Sequence, residues 1–200
     1  VLTVVEDESD RYVSRGGLKL AGALAHTGLA VTSRICLDVG QSTGGFTDCL
    51  LQAGAAQVVG VDVGHGQLHA KLKNDARVTA REGINCRALT AADLGDAMPA
   101  GGFDLIVGDV SFISMTLVLP QLPALLAADG DLLLLVKPQF EVGPHNIGKG
   151  GIVRDPTLYR DVEGRFLDLA QQLGLTAKAW LASPITGGDG NREFFIWLKK

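Results

Sequence analysis

Cysteine is scarce in this 200-residue chain, which has only Cys36, Cys49 and Cys86, and no two of them have CxxC spacing. An odd number of widely separated cysteines argues against a disulfide framework and against a zinc site. We therefore expect no metal site and a reducing, cytoplasmic environment. Proline is also infrequent, at seven residues and without a Gly-x-y repeat, which excludes collagen and low-complexity linkers.

Long hydrophobic runs and an excess of basic residues are both lacking. The longest strongly apolar stretch, Leu132–Val136, is far shorter than the roughly 20 residues of a membrane helix. No signal peptide opens the chain, so we expect no membrane association. The 18 basic and 22 acidic residues leave a net charge of −4, which by itself does not favour nucleic-acid binding.

Glycine, in contrast, is abundant, with 26 residues of 200, about twice its average usage. Such an excess indicates tight turns or close backbone approaches. Hydrophobic residues make up 46% and charged residues 20% of the chain, which is typical of a globular domain. We expect a lead-in segment at 1–12, rich in acidic side chains, followed by one domain at 13–200.

Short apolar runs alternate with stretches of helical period along the chain. The predicted strands are Ile35–Val39, Gln57–Asp62, Val78–Ala80, Leu105–Asp109, Leu132–Lys137, Ala177–Ala182 and Glu193–Leu198. The predicted helices are Leu18–Thr27, Thr43–Ala53, Leu68–Asn74, Met115–Ala127 and Pro156–Leu173. This alternation predicts an α/β fold with a mostly parallel seven-stranded sheet. The glycine-rich turn at 187–190 predicts an antiparallel hairpin at its end.

A glycine-rich turn follows the first strand, within the sequence LDVGQSTGGF at 37–46. In doubly wound sheets such a turn binds a ligand at the carboxyl ends of the strands. The turn is not the GxGxxG pattern of dinucleotide sites, and Phe46 stands where a phosphate-binding loop needs its lysine. It therefore favours a nucleoside ligand without a phosphate chain, although the glycines could serve helix–strand packing alone.

Acidic residues complete this predicted site. Asp62 lies 22 residues after Gly40 at the end of the second strand, where a carboxylate accepts hydrogen bonds from ribose hydroxyls. Asp38 could face a cationic group and Asp93 an adenine amine. S-adenosylmethionine has all of these features. The predicted cofactor-binding residues are Asp38, Gly40, Thr43, Gly44, Gly45, Asp62 and Asp93.

Four further ionisable residues stand where the predicted sheet would bring them together. Asp109 ends the fourth strand, Lys137 ends the fifth, Glu193 opens the last, and Lys19 lies on the first helix. A lysine directly after an apolar strand is costly unless it is paired or used. Any one of the four, taken alone, could be a surface residue at a strand end.

Five motifs in this order resemble those of the TlyA (hemolysin A-like) proteins, within the FtsJ/RrmJ-type methyltransferase superfamily. They are SRGGLKL at 14–20, the turn at 38–46, GDVSF at 108–112, VKPQFE at 136–141 and NREF at 191–194. The resemblance covers residues 11–200 and implies a Rossmann-like class I methyltransferase that uses S-adenosylmethionine. It also implies transfer of a methyl group to a ribose 2′-hydroxyl, of cytidine, in ribosomal RNA, and a catalytic Lys-Asp-Lys-Glu tetrad that maps to Lys19, Asp109, Lys137 and Glu193.

Family members also carry a small N-terminal RNA-binding module, which this sequence lacks. Because the chain also starts at Val1 rather than methionine, we expect it to be the catalytic part of a longer protein. The expected partner is ribosomal RNA or a ribosomal subunit, and the oligomeric state is not indicated. Two other functions stay open, namely a nicotinamide-dependent reductase and a non-catalytic RNA-binding or hemolysin-like protein with a methyltransferase fold.

Overall fold

The computed structural model describes residues 10–200, and its secondary structure alternates strands with helices as the sequence predicts. The strands are β1 Ile35–Val39, β2 Gln57–Asp62, β3 Val78–Glu82, β4 Phe103–Gly108, β5 Leu126–Val136, β6 Thr176–Ala182 and β7 Phe194–Lys199. The helices are α1 Gly16–Thr27, α2 Gly45–Gln52, α3 Ala70–Lys73, α4 Ala91–Leu94 and α5 Thr157–Gln172. The predicted lead-in at 1–12 lies outside the described residues as far as residue 9, and its last residue, Tyr12, is buried.

The seven strands form one sheet in the order β3-β2-β1-β4-β5-β7-β6. β1 to β5 run parallel to one another, whereas β7 is antiparallel to both β5 and β6. The predicted α/β fold with an antiparallel C-terminal hairpin is therefore confirmed. Because the sequence direction reverses at β7, the start of β7 lies at the edge of the sheet where the parallel strands end.

The predicted helix at Met115–Ala127 is wrong. Two 3₁₀ segments, Met115–Leu117 and Leu119–Ala124, occupy most of that range, and β5 begins at Leu126. Proline lies at 120 and 123, and each proline removes a backbone N–H donor from the middle of an α-helix and clashes with the preceding turn. Most of the apolar side chains of this segment are buried, but the segment does not form a regular α-helix.

The core lies on both faces of the sheet, in two clusters of buried side chains. Leu134 and Val136 belong to one cluster, and Leu133 and Leu135 belong to the other. Because successive side chains of a strand point to opposite faces, a continuous apolar run is the pattern of a strand covered on both sides. None of the helices within residues 10–200 has the length and apolar character needed to cross a lipid bilayer.

Candidate active site

The glycine-rich turn between β1 and α2 requires glycine for steric reasons. Gly40 has φ +83°, and a Cβ at this position would collide with the backbone carbonyl oxygen of Asp109. Gly44 has φ +100°, and a Cβ there would collide with the side chain of Leu72. Positive φ is costly for other residues, so Gly40 allows the turn to pack directly against the segment that follows β4, and Gly44 allows it to pack against helix α3.

Asp62, at the end of β2, faces this turn, and backbone hydrogen bonds fix the orientation of both its carboxylate oxygens. Oδ2 accepts a hydrogen bond from the backbone N–H of Ser42, and Oδ1 accepts one from Gly64, each at 2.7 Å. Each oxygen has a second lone pair free for a ligand. A cavity of about 460 Å³ opens beside it. We call it the turn cavity, and its lining includes Gly40, Ser42, Asp62, Val63, Asn85, Cys86, Asp109, Ser111 and Phe112.

Asp93 lies apart from this cavity. Its carboxylate accepts hydrogen bonds from the backbone N–H and the hydroxyl of Thr90, both at 2.8 Å, and so caps helix α4. The lining of the turn cavity includes Asn85 and Cys86 instead. Sequence reasoning missed these two residues because they lie in an irregular segment after β3 that carries no recognisable motif.

Asp38, the last residue but one of β1, is completely buried. Its Oδ2 accepts a hydrogen bond from the Thr47 hydroxyl at 2.7 Å, while Oδ1 has no hydrogen-bond partner among residues 10–200. Burial, together with the smaller effect of the negative charges of Asp109 and Asp62, raises the pKa of Asp38 to about 7 against the hydrogen bonds from Thr47. Of the predicted cofactor-binding residues in and before this turn, Gly40, Thr43 and Gly45 line the turn cavity or the central cavity described below, whereas Asp38 and Gly44 line neither.

This buried carboxyl should make the stability of the protein depend on pH. Asp38 is protonated in the folded state up to about pH 7, whereas in the unfolded chain it ionises near pH 4. The stability that the protonated Asp38 provides to the fold is therefore fully present below about pH 4 and is lost as the pH rises to about 7. We expect Asp38→Asn to gain stability relative to the native sequence across this interval, by up to about 4 kcal/mol.

The measurement is denaturant unfolding of the ligand-free protein at several pH values. Asp168→Asn, at an exposed position of α5, is the matched control and should follow the native profile. Parallel profiles for Asp38→Asn and the native protein would show that Asp38 is already ionised at low pH.

Lys137 and Asp109 lie side by side because they follow neighbouring parallel strands. β4 and β5 are paired with Gly108 opposite Leu134, so both strands end at the same edge of the sheet. The Lys137 Nζ lies 2.5 Å from Asp109 Oδ1 as an ion pair, and it donates a hydrogen bond to Ser111 Oγ at 2.7 Å. Lys137 keeps 11% of its side chain exposed, and that part faces a cavity.

Lys19 and Glu193 form a second, more deeply buried ion pair. The Lys19 Nζ donates to Glu193 Oε2 at 2.6 Å, and the side chains are only 9% and 2% exposed. Glu193 immediately precedes β7, in which Phe194 pairs with Val136 of β5. The antiparallel register therefore places Glu193 next to Lys137, and helix α1 supplies Lys19 from the other side.

Two more cavities adjoin the turn cavity and join the predicted residues into one site. The central cavity, of about 540 Å³, is lined by residues that include Arg15, Lys19, Gly40, Ser42, Thr43, Gly45, Asp109, Ser111 and Lys137. The outer cavity, of about 490 Å³, is lined by residues that include Lys19, Ser111, Phe112, Lys137, Gln139, Phe140, Asp189 and Glu193. Ser111 lines all three cavities, so a ligand in the turn cavity and one in the outer cavity would meet beside Lys137.

Ser111 and Asn191 are functional candidates that sequence reasoning did not single out, although both lie in the motifs quoted above. Ser111 holds Lys137. The buried Asn191 side chain accepts from the backbone N–H of Val153 and donates to the carbonyl of Gly151. These two hydrogen bonds connect the glycine-rich loop that follows β5, at residues 151 and 153, to the segment just before β7.

Comparison with known proteins agrees with this architecture. The profile of the FtsJ-like methyltransferase family matches residues 12–200. A 16S/23S rRNA (cytidine-2′-O)-methyltransferase, TlyA of Mycobacterium tuberculosis, is 48% identical over 198 residues, which are 99% of this chain and 72% of that protein.

Two solved structures extend the comparison. A candidate hemolysin from Lactococcus lactis superposes with a TM-score of 0.89 at 45% identity and covers 96% of this chain and 89% of its own. An S-adenosylmethionine-dependent methyltransferase from Mesorhizobium loti, at 15% identity, has the same fold with a TM-score of 0.65, over 90% of this chain and 96% of its own. The chain described here belongs to the FtsJ-like methyltransferase family.

Proposed function

We propose that this protein transfers a methyl group from S-adenosylmethionine to a ribose 2′-hydroxyl of cytidine in ribosomal RNA. The observation that carries the proposal is the pair of ion pairs, Lys137–Asp109 and Lys19–Glu193, whose residues line the central and outer cavities beside the turn cavity. The relative from Mycobacterium tuberculosis is named for this reaction on 16S and 23S rRNA.

The turn cavity fits the cofactor chemically. Its glycine turn admits close backbone contact, its Asp62 carboxylate is oriented for two ribose hydroxyls, and its turn lacks a phosphate-binding lysine. The exposed Val63 adds an apolar surface at the cavity wall. When bound, S-adenosylmethionine supplies an electrophilic methyl group on a sulfonium.

At the reacting end, Lys137 acts on the 2′-oxygen of the RNA. Its ion pair with Asp109 suits an ammonium group, which donates a hydrogen bond to the oxygen and stabilises the negative charge that develops there as the hydroxyl proton passes to solvent in the outer cavity. The oxygen then bonds to the methyl carbon, and the sulfonium leaves as a neutral thioether. Asp109 and Ser111 fix the direction of the Nζ, so the nucleophile is held in line for attack. Lys19 and Glu193 form the wall behind Lys137 and keep this side of the site rigid.

An aromatic surface lies where the target nucleotide would enter. Phe112 is 92% exposed and has a left-handed backbone with φ +64°, and its ring lies 5.4 Å from that of Phe140. A bulky residue in this conformation is strained, and such strain is concentrated at functional sites. Exposed aromatic rings stack on unpaired RNA bases, so Phe112 and Phe140 support binding of an extruded base.

The direct test maps 2′-O-methylated nucleotides in ribosomal RNA from cells with and without this protein. We expect at least one cytidine to lose its methyl group when the protein is absent, and purified protein with S-adenosylmethionine to restore it on isolated ribosomal subunits. An unchanged methylation map together with no transfer in vitro would refute the proposal. A lytic activity that survives loss of the tetrad would instead favour the hemolysin-like alternative.

Asp62→Ala should weaken binding of S-adenosylmethionine by at least about a hundredfold. Hydrogen bonds to a charged acceptor contribute roughly 1.5–3 kcal/mol each, and the variant loses those to the ribose. The measurement is calorimetric titration with S-adenosylmethionine, and with NAD for comparison, which the native protein should not bind. Asp161→Ala, at an exposed position of α5, is the control, and equal affinity in the Asp62 variant would remove Asp62 from the site.

A further inference from the structure

The outer cavity contains a carboxylate that the methyl-transfer chemistry does not use. Asp189, in the turn before β7, is exposed and lines this cavity together with Lys137 and Phe112. An RNA backbone is negatively charged, so an exposed carboxylate at this place disfavours phosphate groups. It can instead accept a hydrogen bond from an amino group on the edge of a base.

Asp189 is held firmly as a hydrogen-bond acceptor. The backbone N–H of Asn191 donates to Oδ1 at 2.9 Å, and the Asn191 side chain donates to Oδ2 at 2.8 Å. Partial burial acts to raise the pKa of Asp189, but these hydrogen bonds keep it below the ordinary value. The carboxylate is therefore ionised at neutral pH and offers only lone pairs.

Gln139 places a hydrogen-bond donor beside this acceptor. Its Nε2 donates to Asp189 Oδ2 at 3.3 Å, and it also lines the outer cavity. Because an ionised carboxylate can only accept, the amide must turn its nitrogen toward Asp189, and this nitrogen carries a second N–H. The Gln139 Oε1 is buried and has no partner among residues 10–200, so the nitrogen is the end available to a ligand.

We propose that Asp189 and Gln139 read the Watson–Crick edge of the target base and select cytidine over uridine. The cytosine amino group donates to Asp189, and the adjacent ring nitrogen accepts from Gln139. Uracil presents the opposite order, a carbonyl followed by an N–H, which places an acceptor against the carboxylate and a donor against the amide. With the base held between these groups and Phe112, its ribose lies toward Lys137 in the same cavity.

This selection rests on the proposed methyl transfer to cytidine and adds the residues that recognise the base. The test measures kcat/KM on ribosomal subunits that lack the modification and carry either the mapped target cytidine or uridine in its place. For the native protein we expect a preference for cytidine of at least about tenfold, because a well-placed pair of base contacts discriminates by roughly 1–3 kcal/mol. Asp189→Asn should reduce the preference to near unity, mainly by slowing transfer to cytidine.

Gln139→Glu is the second variant, and it leaves both Asn191 contacts of the turn in place. This substitution replaces the amide donor at position 139 by a carboxylate acceptor, so the preference for cytidine should fall in this variant as well. Asp161→Asn, exposed on α5, is the matched control and should keep the native preference. Melting temperature and S-adenosylmethionine affinity, which a base-reading role leaves unchanged, separate loss of recognition from loss of folding.

The outcomes distinguish the two proposals. A native cytidine preference that survives in both Asp189→Asn and Gln139→Glu overturns the base-reading role and leaves the methyltransferase proposal intact. Equal rates on cytidine and uridine by the native protein overturn it as well. If the native protein binds S-adenosylmethionine but methylates neither substrate, the proposed function fails and base reading fails with it.

Discussion

Lys137→Ala is expected to lower the rate of methyl transfer about a thousandfold while leaving S-adenosylmethionine affinity nearly unchanged. A positioned proton-transfer group or oxyanion donor typically contributes between about 10² and 10⁴ in rate. Lys137 has its contacts with Asp109 and Ser111 at the carboxyl edge of the sheet, and its loss leaves no ammonium to stabilise the 2′-oxygen. The effect should therefore fall on kcat rather than on cofactor binding.

Single-turnover transfer of labelled methyl groups to ribosomal subunits provides the measurement, with calorimetry for the cofactor. Lys178→Ala, at an exposed position of β6, is the matched control and should be as active as the native protein. The Asp109 Oδ1 is buried against Lys137, but Asp109 lines the turn cavity and the central cavity. Truncation of Lys137 therefore lets water from these cavities reach the carboxylate, and the variant should fold. Full methyl transfer by Lys137→Ala with normal cofactor binding would exclude Lys137 from the reaction.

Glu193→Ala is expected to destabilise the fold by about 3–5 kcal/mol. Removal of one partner of a buried ion pair leaves the other charge without compensation, and that penalty is large. The Lys19 side chain, 9% exposed, has little access to water once Glu193 is gone. Urea unfolding at neutral pH measures the loss, and a variant as stable as the native protein would show that the pair is not buried in solution.

The double variant Lys19→Met with Glu193→Met separates stability from function. Replacing a buried pair by apolar side chains of similar size is often neutral or stabilising, so the double variant should recover most of the free energy of unfolding. It should not recover methyl transfer, since the polar wall beside Lys137 is lost. Recovery of both properties would assign the pair a purely structural role.

Local features of the fold were predictable where hydrophobic period and turn chemistry agree. β1 and β2 have the predicted bounds, and helix α1 differs only at its start. The segment at 115–127 was mispredicted because its apolar spacing fits a helix while two prolines forbid one. β5 begins six residues earlier than predicted, since its first part is irregular, with a shift in register against β4.

The candidate site was predictable as a set of residues but not as an arrangement. All four tetrad residues line adjoining cavities, yet their grouping into two separate ion pairs was not legible in the sequence. The position of Asp93 along the chain predicts a contact with the adenine amine of the ligand. In the structure its carboxylate caps helix α4. Hydrogen bonds to neighbouring backbone compete for short acidic side chains, and a sequence does not show which use prevails.

By itself, the sequence determined the strand–helix alternation, the glycine turn with its excess of glycine, and the identity of the charged residues at strand ends. Each of these depends on neighbours within a few positions, where periodicity and backbone conformation act directly. Only the tertiary structure decided that Lys19 meets Glu193 across 174 positions of the chain, and that Gln139 meets Asp189 across 50. Such contacts follow from strand order and register, because the reversed strand β7 brings the end of the chain to the edge where β4 and β5 finish.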